Sequence, residues 1–219
     1  ECDTASAYGG VIGINCEVDR MAADQISQRF YEAIIAPGFD DGALQALSRK
    51  KNLTILDLGK GAKIALEGGM EMRDVVGGAL LQERDASIME ESRLKSMTPR
   101  SPNEGELKDL IFSWKVAKHA KSNAIVLAKG ERTIGIGAGQ VSRVDSAKVA
   151  IAKAGPKAQG SCMASDGFIP FRDTVEEAVR AGVTAIIQPG GSIRDQEVIQ
   201  FASENDIAMV FTGMRCFRH

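Results

Sequence analysis

Three short segments in the last quarter of the chain gather residues able to hold a ligand: DGFIPFRD at 166–173, QPGGS at 188–192 and TGMR at 212–215. Each follows an apolar run of strand length, which places all three at strand carboxyl ends, where open α/β sheets bind their ligands. Phe168, Ile169, Pro170 and Phe171 form an apolar loop where polar turn residues are usual, and it either clamps a flat heterocycle or closes on the core as a lid. Gly190-Gly191-Ser192 exposes main-chain amides before a helix, with Ser192 as the expected cap. Arg215 suits bidentate pairing with a phosphate or carboxylate. Glu32, just before AIIAP, is either a ligand-binding carboxylate or a solvated charge.

A second group lies at 135–145. Gly135, Gly137 and Gly139 imitate the opening of a dinucleotide fingerprint, but the third glycine position is Gln140 and the preceding strand turns back through a hairpin, so a nicotinamide-dependent oxidoreductase is set aside. Ser142 and Asp145 form a capping pair at the helix that follows, and with Arg143 beside it this helix start is either an ordinary cap or an anion site. Lys118-His119 suggests a base, yet adjacent helical residues point about 100° apart and do not converge on one substrate.

The elements that must position these residues follow from hydrophobic period. VIGINC from residue 11, a helix from Asp19 to about Phe30, AIIAP at 33–37, a helix near 41–50 and LTILDLG at 53–59 alternate short apolar runs with helices, the pattern of parallel strands and crossover helices. SCMASD at 161–166, TVEEAVRA, VTAIIQP, IRDQEVIQFASE and IAMVFTG at 207–213 repeat it. AIIAPG at 33–38 recurs as AIIQPG at 185–190, so the chain reads as a duplicated α/β unit, with residues 1–100 holding the first unit and an irregular connection and residues 101–219 the second. Within 60–100, Gly68-Gly69 and Gly77-Gly78 punctuate a stretch whose strands the pattern does not place. SPNE at 101–104 predicts a helix with Ser101 as N-cap, Pro102 at N1 and Glu104 at N3. Leu107, Leu110, Ile111, Trp114 and Ala117 carry its apolar face to about Lys121, and AIVLA, a Lys-Gly-Glu turn and RTIGIGAG then read as a hairpin.

Composition bounds the chemistry. With 219 residues, 44% apolar, the chain buries a substantial core, and 27 basic against 29 acidic residues leave a charge of −2, which gives no broad attraction for nucleic acid or membrane. Four dispersed cysteines (Cys2, Cys16, Cys162, Cys216) read as reduced thiols, and with two histidines no catalytic metal is expected. No run approaches the ~20 apolar residues of a membrane span and no leader pattern is seen, so cytoplasm is the expected compartment. The chain begins Glu-Cys-Asp, and it reads as part of something longer.

TASAYGG (4–10), EAIIAPG (32–38), KSNAIVLAKGERTIGIGAGQVSRVDSAK (121–148), MASDGFIPFRD (163–173), IIQPGGSIRD (186–195) and AMVFTGMRCFRH (208–219) together resemble the transformylase half of the bifunctional enzymes that combine AICAR formyltransferase with IMP cyclohydrolase. The resemblance runs along nearly the whole chain in order. It implies tandem cytidine-deaminase-like α/β units without the deaminase zinc, the first of them incomplete, and formyl transfer from 10-formyltetrahydrofolate, a co-substrate, to the 5-amino group of AICAR at a homodimer interface. Carried over residue by residue, Gly9, Glu32, Asn123, Phe168 and Arg215 match nucleotide contacts, with Asn123 an assisting residue in catalysis, and Arg143, Asp173, Ser192 and Ile193 match folate contacts. Ile169 stands where the family usually has a second aromatic, which is expected to soften the stacking wall.

The family's catalytic Lys-His pair lies in a Lys-His-x-Asn-Pro-Cys-Gly segment upstream of TASAYGG, and this sequence contains neither that segment nor a cyclohydrolase domain. KHAKSN is no substitute, because it matches the helix leading into the SNAI strand. The resemblance therefore implies the carboxy-terminal part of a transformylase, with little turnover alone, that partners the upstream segment and exposes apolar surface near its amino end. The alternative from another class is a non-catalytic nucleotide-binding or interaction module on the same fold.

Overall fold

The computed structural model describes residues 2, 3, 6–59, 69–86 and 89–218, which fall into two compact units, one holding residues 6–59 and 69–86 and the other residues 2, 3 and 89–218. Among the described residues no helix is long and apolar enough to cross a membrane.

The amino-terminal unit runs β1 (Val11–Gly13), α1 (Arg20–Ser27), β2 (Ala33–Ala36), α2 (Asp41–Leu47), β3 (Thr54–Asp57), β4 (Met70–Val75) and β5 (Gly78–Glu83). β1, β2 and β3 form a parallel sheet in that order. Asp19 and Asp40 cap the two helices, each carboxylate accepting the N–H three residues on. Ile34 and Ala36 face the core that α1 and α2 supply with Ala23, Ala43, Ala46 and Leu47. On the opposite face Val11 is 69% and Leu56 48% exposed. α1 stops at Ser27 rather than near Phe30, because the Gln28 and Arg29 amides turn back onto Gln25 and Ile26. Phe30 thereby leaves the helix and stacks on Tyr8, ring centres 5.1 Å apart. Residues 60–68 lie outside the described residues, and within the stretch the pattern left unplaced the structure finds the antiparallel hairpin β4–β5, closed by Val76-Gly77 with Gly77 at φ +87°.

The carboxy-terminal unit holds β6 (Lys95–Ser96), α3 (Glu104–His119), β7 (Ile125–Ala128), β8 (Thr133–Gly137), α4 (Arg143–Ala154), β9 (Cys162–Ser165), α5 (Asp173–Arg180), β10 (Ala185–Gln188), α6 (Asp195–Glu204) and β11 (Ala208–Phe211). The sheet order is β6-β11-β10-β9-β7-β8. β9, β10 and β11 are parallel neighbours, whereas β7 runs antiparallel to β9 and β8, and β6 antiparallel to β11. Alternate residues of the central strands enter two cores, Ile125, Met163, Ile186 and Met209 on one face and Val126, Ala164, Ile187 and Val210 on the other. Burial on both faces explains why these strands read as unbroken apolar runs.

α3 begins two residues later than SPNE suggests. Asn103, not Ser101, is the N-cap, and it exchanges bonds with Glu106 in a capping box. Both serine and asparagine have a glutamate three residues on, and Arg100, 2.6 Å from Glu106, decides between them. The glycines of β8 answer a packing demand: a Cβ on Gly135 would collide with the carbonyl of Ala150, and one on Gly137 with the carbonyl of Ser146, so α4 lies directly on the strand.

Candidate functional site

The parallel run β9-β10-β11 brings three loops, 166–172, 189–194 and 212–218, to one end of the sheet. Because β7 is antiparallel to β9, Asn123 ahead of β7 reaches the same end, and the amino terminus of α4 follows β8 there. Asn123, Arg143, Phe168, Ser192 and Arg215 thus lie at one end of the sheet, the carboxyl end of its parallel strands.

Phe168 is central. The Arg215 guanidinium lies 5.0 Å and that of Arg143 5.8 Å from its ring centre, and Arg143 also stands 5.9 Å from the Phe217 ring. Arg215 also lies close to Gly191 of the neighbouring loop, while Thr212 and Gly213 tie the third loop to Gln188 and Pro189 through main-chain bonds. Arg143 is largely buried, and its Nε atom has no hydrogen-bond partner among the described residues. Burial lowers its pKa from the usual arginine value, the nearby Arg215 charge acts in the same direction, and Asp166 opposes both. The Arg143 and Arg215 guanidinium groups flank the Phe168 ring, and Asp166 answers Arg143, so the cluster suits an anionic ligand carrying a flat ring.

Sequence reasoning passed over Asp166 as a site residue. It is fully buried, pairs with Arg143 at 3.3 Å and accepts the Ser122 hydroxyl at 2.6 Å. Its carbonyl takes the Cys216 amide, and Ser122 is bonded in turn to Arg218, so Asp166 holds both the buried arginine and the tail bearing Arg215. The available signal was a carboxylate immediately after an apolar strand, where a buried acid needs a cation. Gln188 was also missed: its side chain accepts the Ile169 amide at 2.8 Å and fixes the aromatic loop.

Several expectations need correction. Ile169 is wholly buried in the core, so the aromatic-to-aliphatic exchange falls behind the loop rather than on a stacking wall. Phe168 and Phe171 remain outside, Phe171 beneath the Arg194 guanidinium at 4.8 Å. Ser192 does not cap α6. The Asp195 carboxylate takes the Gly191 and Ser192 amides, and the Ser192 hydroxyl accepts from the Arg194 amide. Asp173 is the first residue of α5, with its carboxylate on the Thr174 amide. Ile193 projects fully into solvent. Asn123 donates Nδ2 to the Gln140 carbonyl, which leaves Oδ1 as the atom able to accept from a ligand. Ser142 and Asp145 do form the expected capping pair.

Gly9 and Glu32 belong to the other unit and lie together there, a Cβ on Gly9 falling 3.5 Å from the Glu32 Oε1. They occupy the amino ends of β1 and β2, not carboxyl ends. His119 ends α3 and offers its carbonyl to Arg218. The four cysteines form no disulfide; Cys162 and Cys216 are buried and Cys16 is exposed. Among the described residues no group of three or more His, Cys, Asp or Glu is placed to hold a metal ion.

The family model described as AICARFT/IMPCHase bienzyme matches residues 1–153. The bifunctional purine biosynthesis protein PurH of Bacillus thuringiensis (strain Al Hakam) is 52% identical over 219 residues, which is 100% of this chain and 42% of that protein. PurH proteins of Bacillus cereus (strain AH820) and Bacillus anthracis (strain A0248) give the same 52% identity and 42% share. The chain spans less than half the length of these relatives, and on the family match and the identity it belongs to the AICARFT/IMPCHase bienzyme family.

Proposed function

We propose that this chain serves purine biosynthesis as the part of a bifunctional enzyme that binds AICAR and 10-formyltetrahydrofolate for formyl transfer, on tandem cytidine-deaminase-like units and as a homodimer. The observation that carries the reading is the cluster of Phe168, Arg143 and Arg215 across loops that follow β9 and β11 and the start of α4. Arg215 pairs with the nucleotide phosphate, Phe168 lies against the imidazole, and Asn123 Oδ1 accepts from the 5-amino group. Arg143, Asp173, Ser192 and Ile193 face the folate. The amine nitrogen attacks the formyl carbon, the amine proton passes to a base, and the carbon–N10 bond breaks with its electron pair going to N10, which takes up a proton to leave as tetrahydrofolate.

That base is the family's Lys-His segment, which this sequence does not contain. A positioned base contributes about 10² to 10⁴ in rate, so the chain alone turns over slowly at best. The test is to mix the chain with a polypeptide carrying the Lys-His segment and to follow tetrahydrofolate release, with IMP formation from FAICAR measured in parallel. Formyl transfer that needs both polypeptides supports the reading. Ring closure without formyl transfer would assign the chain to the other activity of the family, and saturable ligand binding without either would leave a binding module.

A further inference from the structure

The amino-terminal unit contains a cleft of about 200 Å³ that none of the preceding chemistry uses. It opens where α1 and α2 end, and its polar lining is dominated by Arg29, Arg49, Lys50 and Lys51, with Asn52 beside them and Phe30 and Tyr31 at one side. Among the described residues no acidic side chain lines it. Lys50 is accounted for structurally, since its ammonium donates to the Arg29 carbonyl at 3.4 Å and so answers the end of α1. The other three cations are not: among the described residues none of Arg29, Arg49 and Lys51 has a carboxylate within ion-pair distance. Nor are they hydrogen-bond partners for the helix ends, because the Gln28, Arg29, Ser48 and Lys50 amides already return to carbonyls in the last turns of the two helices. Four like charges around one concave surface repel each other, and a cleft focuses their field on whatever anion enters.

From this geometry we infer that residues 29–31 and 49–52 form a binding site for a phosphoryl group, either free phosphate or pyrophosphate or the phosphate end of a larger molecule. The volume is below the roughly 300–1,000 Å³ that encloses a drug-sized ligand, so the cleft takes the anionic group and leaves the rest of any larger ligand outside. Arg29 and Arg49 offer forked donors, Lys51 a point charge and the Asn52 amide a neutral donor, a set matched to tetrahedral oxyanions. The site uses no residue of the carboxy-terminal unit and does not rest on the formyl-transfer reading.

The experiment is a titration of the isotopically labelled full chain with inorganic pyrophosphate and, separately, with AMP, at constant ionic strength, followed by amide chemical shifts. Saturable shifts at Arg29, Tyr31 and Lys50–Asn52 are expected, weakened at least tenfold in Arg29→Gln/Lys51→Gln and unchanged in Arg215→Ala. Circular dichroism and thermal unfolding confirm that the double variant folds, and Arg49→Gln alone gives a second, milder loss. Stronger binding of AMP assigns the phosphoryl group to a nucleotide-like ligand and stronger binding of pyrophosphate to a free anion; either supports the site. Absence of saturation at millimolar pyrophosphate and AMP, shifts confined to other residues, or equal affinity in the double variant would overturn it.

Discussion

Replacing Asp166 by asparagine keeps shape and removes one charge, which isolates what the carboxylate does. In the native protein its two oxygens are divided, one to Arg143 at 3.3 Å and one to the Ser122 hydroxyl at 2.6 Å, and the residue has no exposed surface. An amide can keep one acceptor, so either Ser122 loses its partner or an N–H faces the guanidinium. Arg143, with its side chain 11% exposed and Nε already without a partner, then has no counter-charge. Breaking a buried ion pair from one side costs about 3–5 kcal/mol, and the residual exposure of Arg143 argues for the lower end, about 3 kcal/mol. With an m-value of about 2 kcal/mol/M in urea, the midpoint falls by about 1.5 M. The assay is equilibrium unfolding followed by tryptophan fluorescence, because Trp114 is the sole tryptophan and lies in the core of the same unit. Arg143→Met should be costly for the mirrored reason, and the Asp166→Asn/Arg143→Met double variant should recover at least about 1 kcal/mol relative to additivity. A cost under about 0.5 kcal/mol for Asp166→Asn, or strict additivity in the cycle, would refute the claim that this carboxylate holds the buried arginine.

Other consequences follow from the same structure. Gly137→Ala forces β8 away from the Ser146 carbonyl and should destabilise the unit by about 1–3 kcal/mol in the same urea assay, more than Gly78→Ala in the open hairpin. Glu106 is raised by burial but lowered further by hydrogen bonds from Thr184, Arg100 and the Asn103 amide and by the Arg100 charge, so its net pKa lies below the ordinary 4.5. Its stabilisation is therefore complete above pH 4.5 and lost as the pH falls through the lower folded-state value, and Glu106→Gln should flatten that acid limb of stability against pH. Burial, reinforced by the Asp109 and Glu106 charges, pushes the Cys162 thiol far up, so iodoacetamide at mildly alkaline pH should label exposed Cys16 in the native protein and reach Cys162 only after unfolding, as read by peptide mass spectrometry.

Much of the site was legible because parallel strands leave strong local marks. An unbroken apolar run followed by a polar or glycine-bearing break locates a carboxyl end: Asp166-Gly167 marks β9, Gln188-Pro189-Gly190 marks β10 and Thr212-Gly213 marks β11, although the apolar FIPF run after Asp166-Gly167 departs from the usual polar turn. What was not legible depends on partners distant in sequence. Ser101 and Asn103 are equivalent caps by local pattern, and only Arg100 reaching Glu106 separates them. Ile169 looks like part of an exposed aromatic wall until Gln188, nineteen residues on, fixes its amide and turns its side chain inward. Met70–Val75 and Gly78–Glu83 pair with each other while exposing residues on both faces, so no clean alternation marks them as strands. The glycines of β8, which imitate a cofactor motif, are explained by the closeness of α4.

The most direct test of the central claim is calorimetric titration of AICAR and 10-formyltetrahydrofolate into the chain joined by the Lys-His polypeptide, comparing Arg215→Ala with Asp173→Ala. Loss of a charge-assisted phosphate contact is worth about 1.5–3 kcal/mol, so Arg215→Ala should weaken AICAR about 10- to 100-fold and leave the folate unchanged. Asp173→Ala should do the reverse, with unfolding measured beside it because Asp173 also holds the Thr174 amide. Equal losses for both ligands in both variants, or no saturable binding of either ligand by the native residues, would contradict the account.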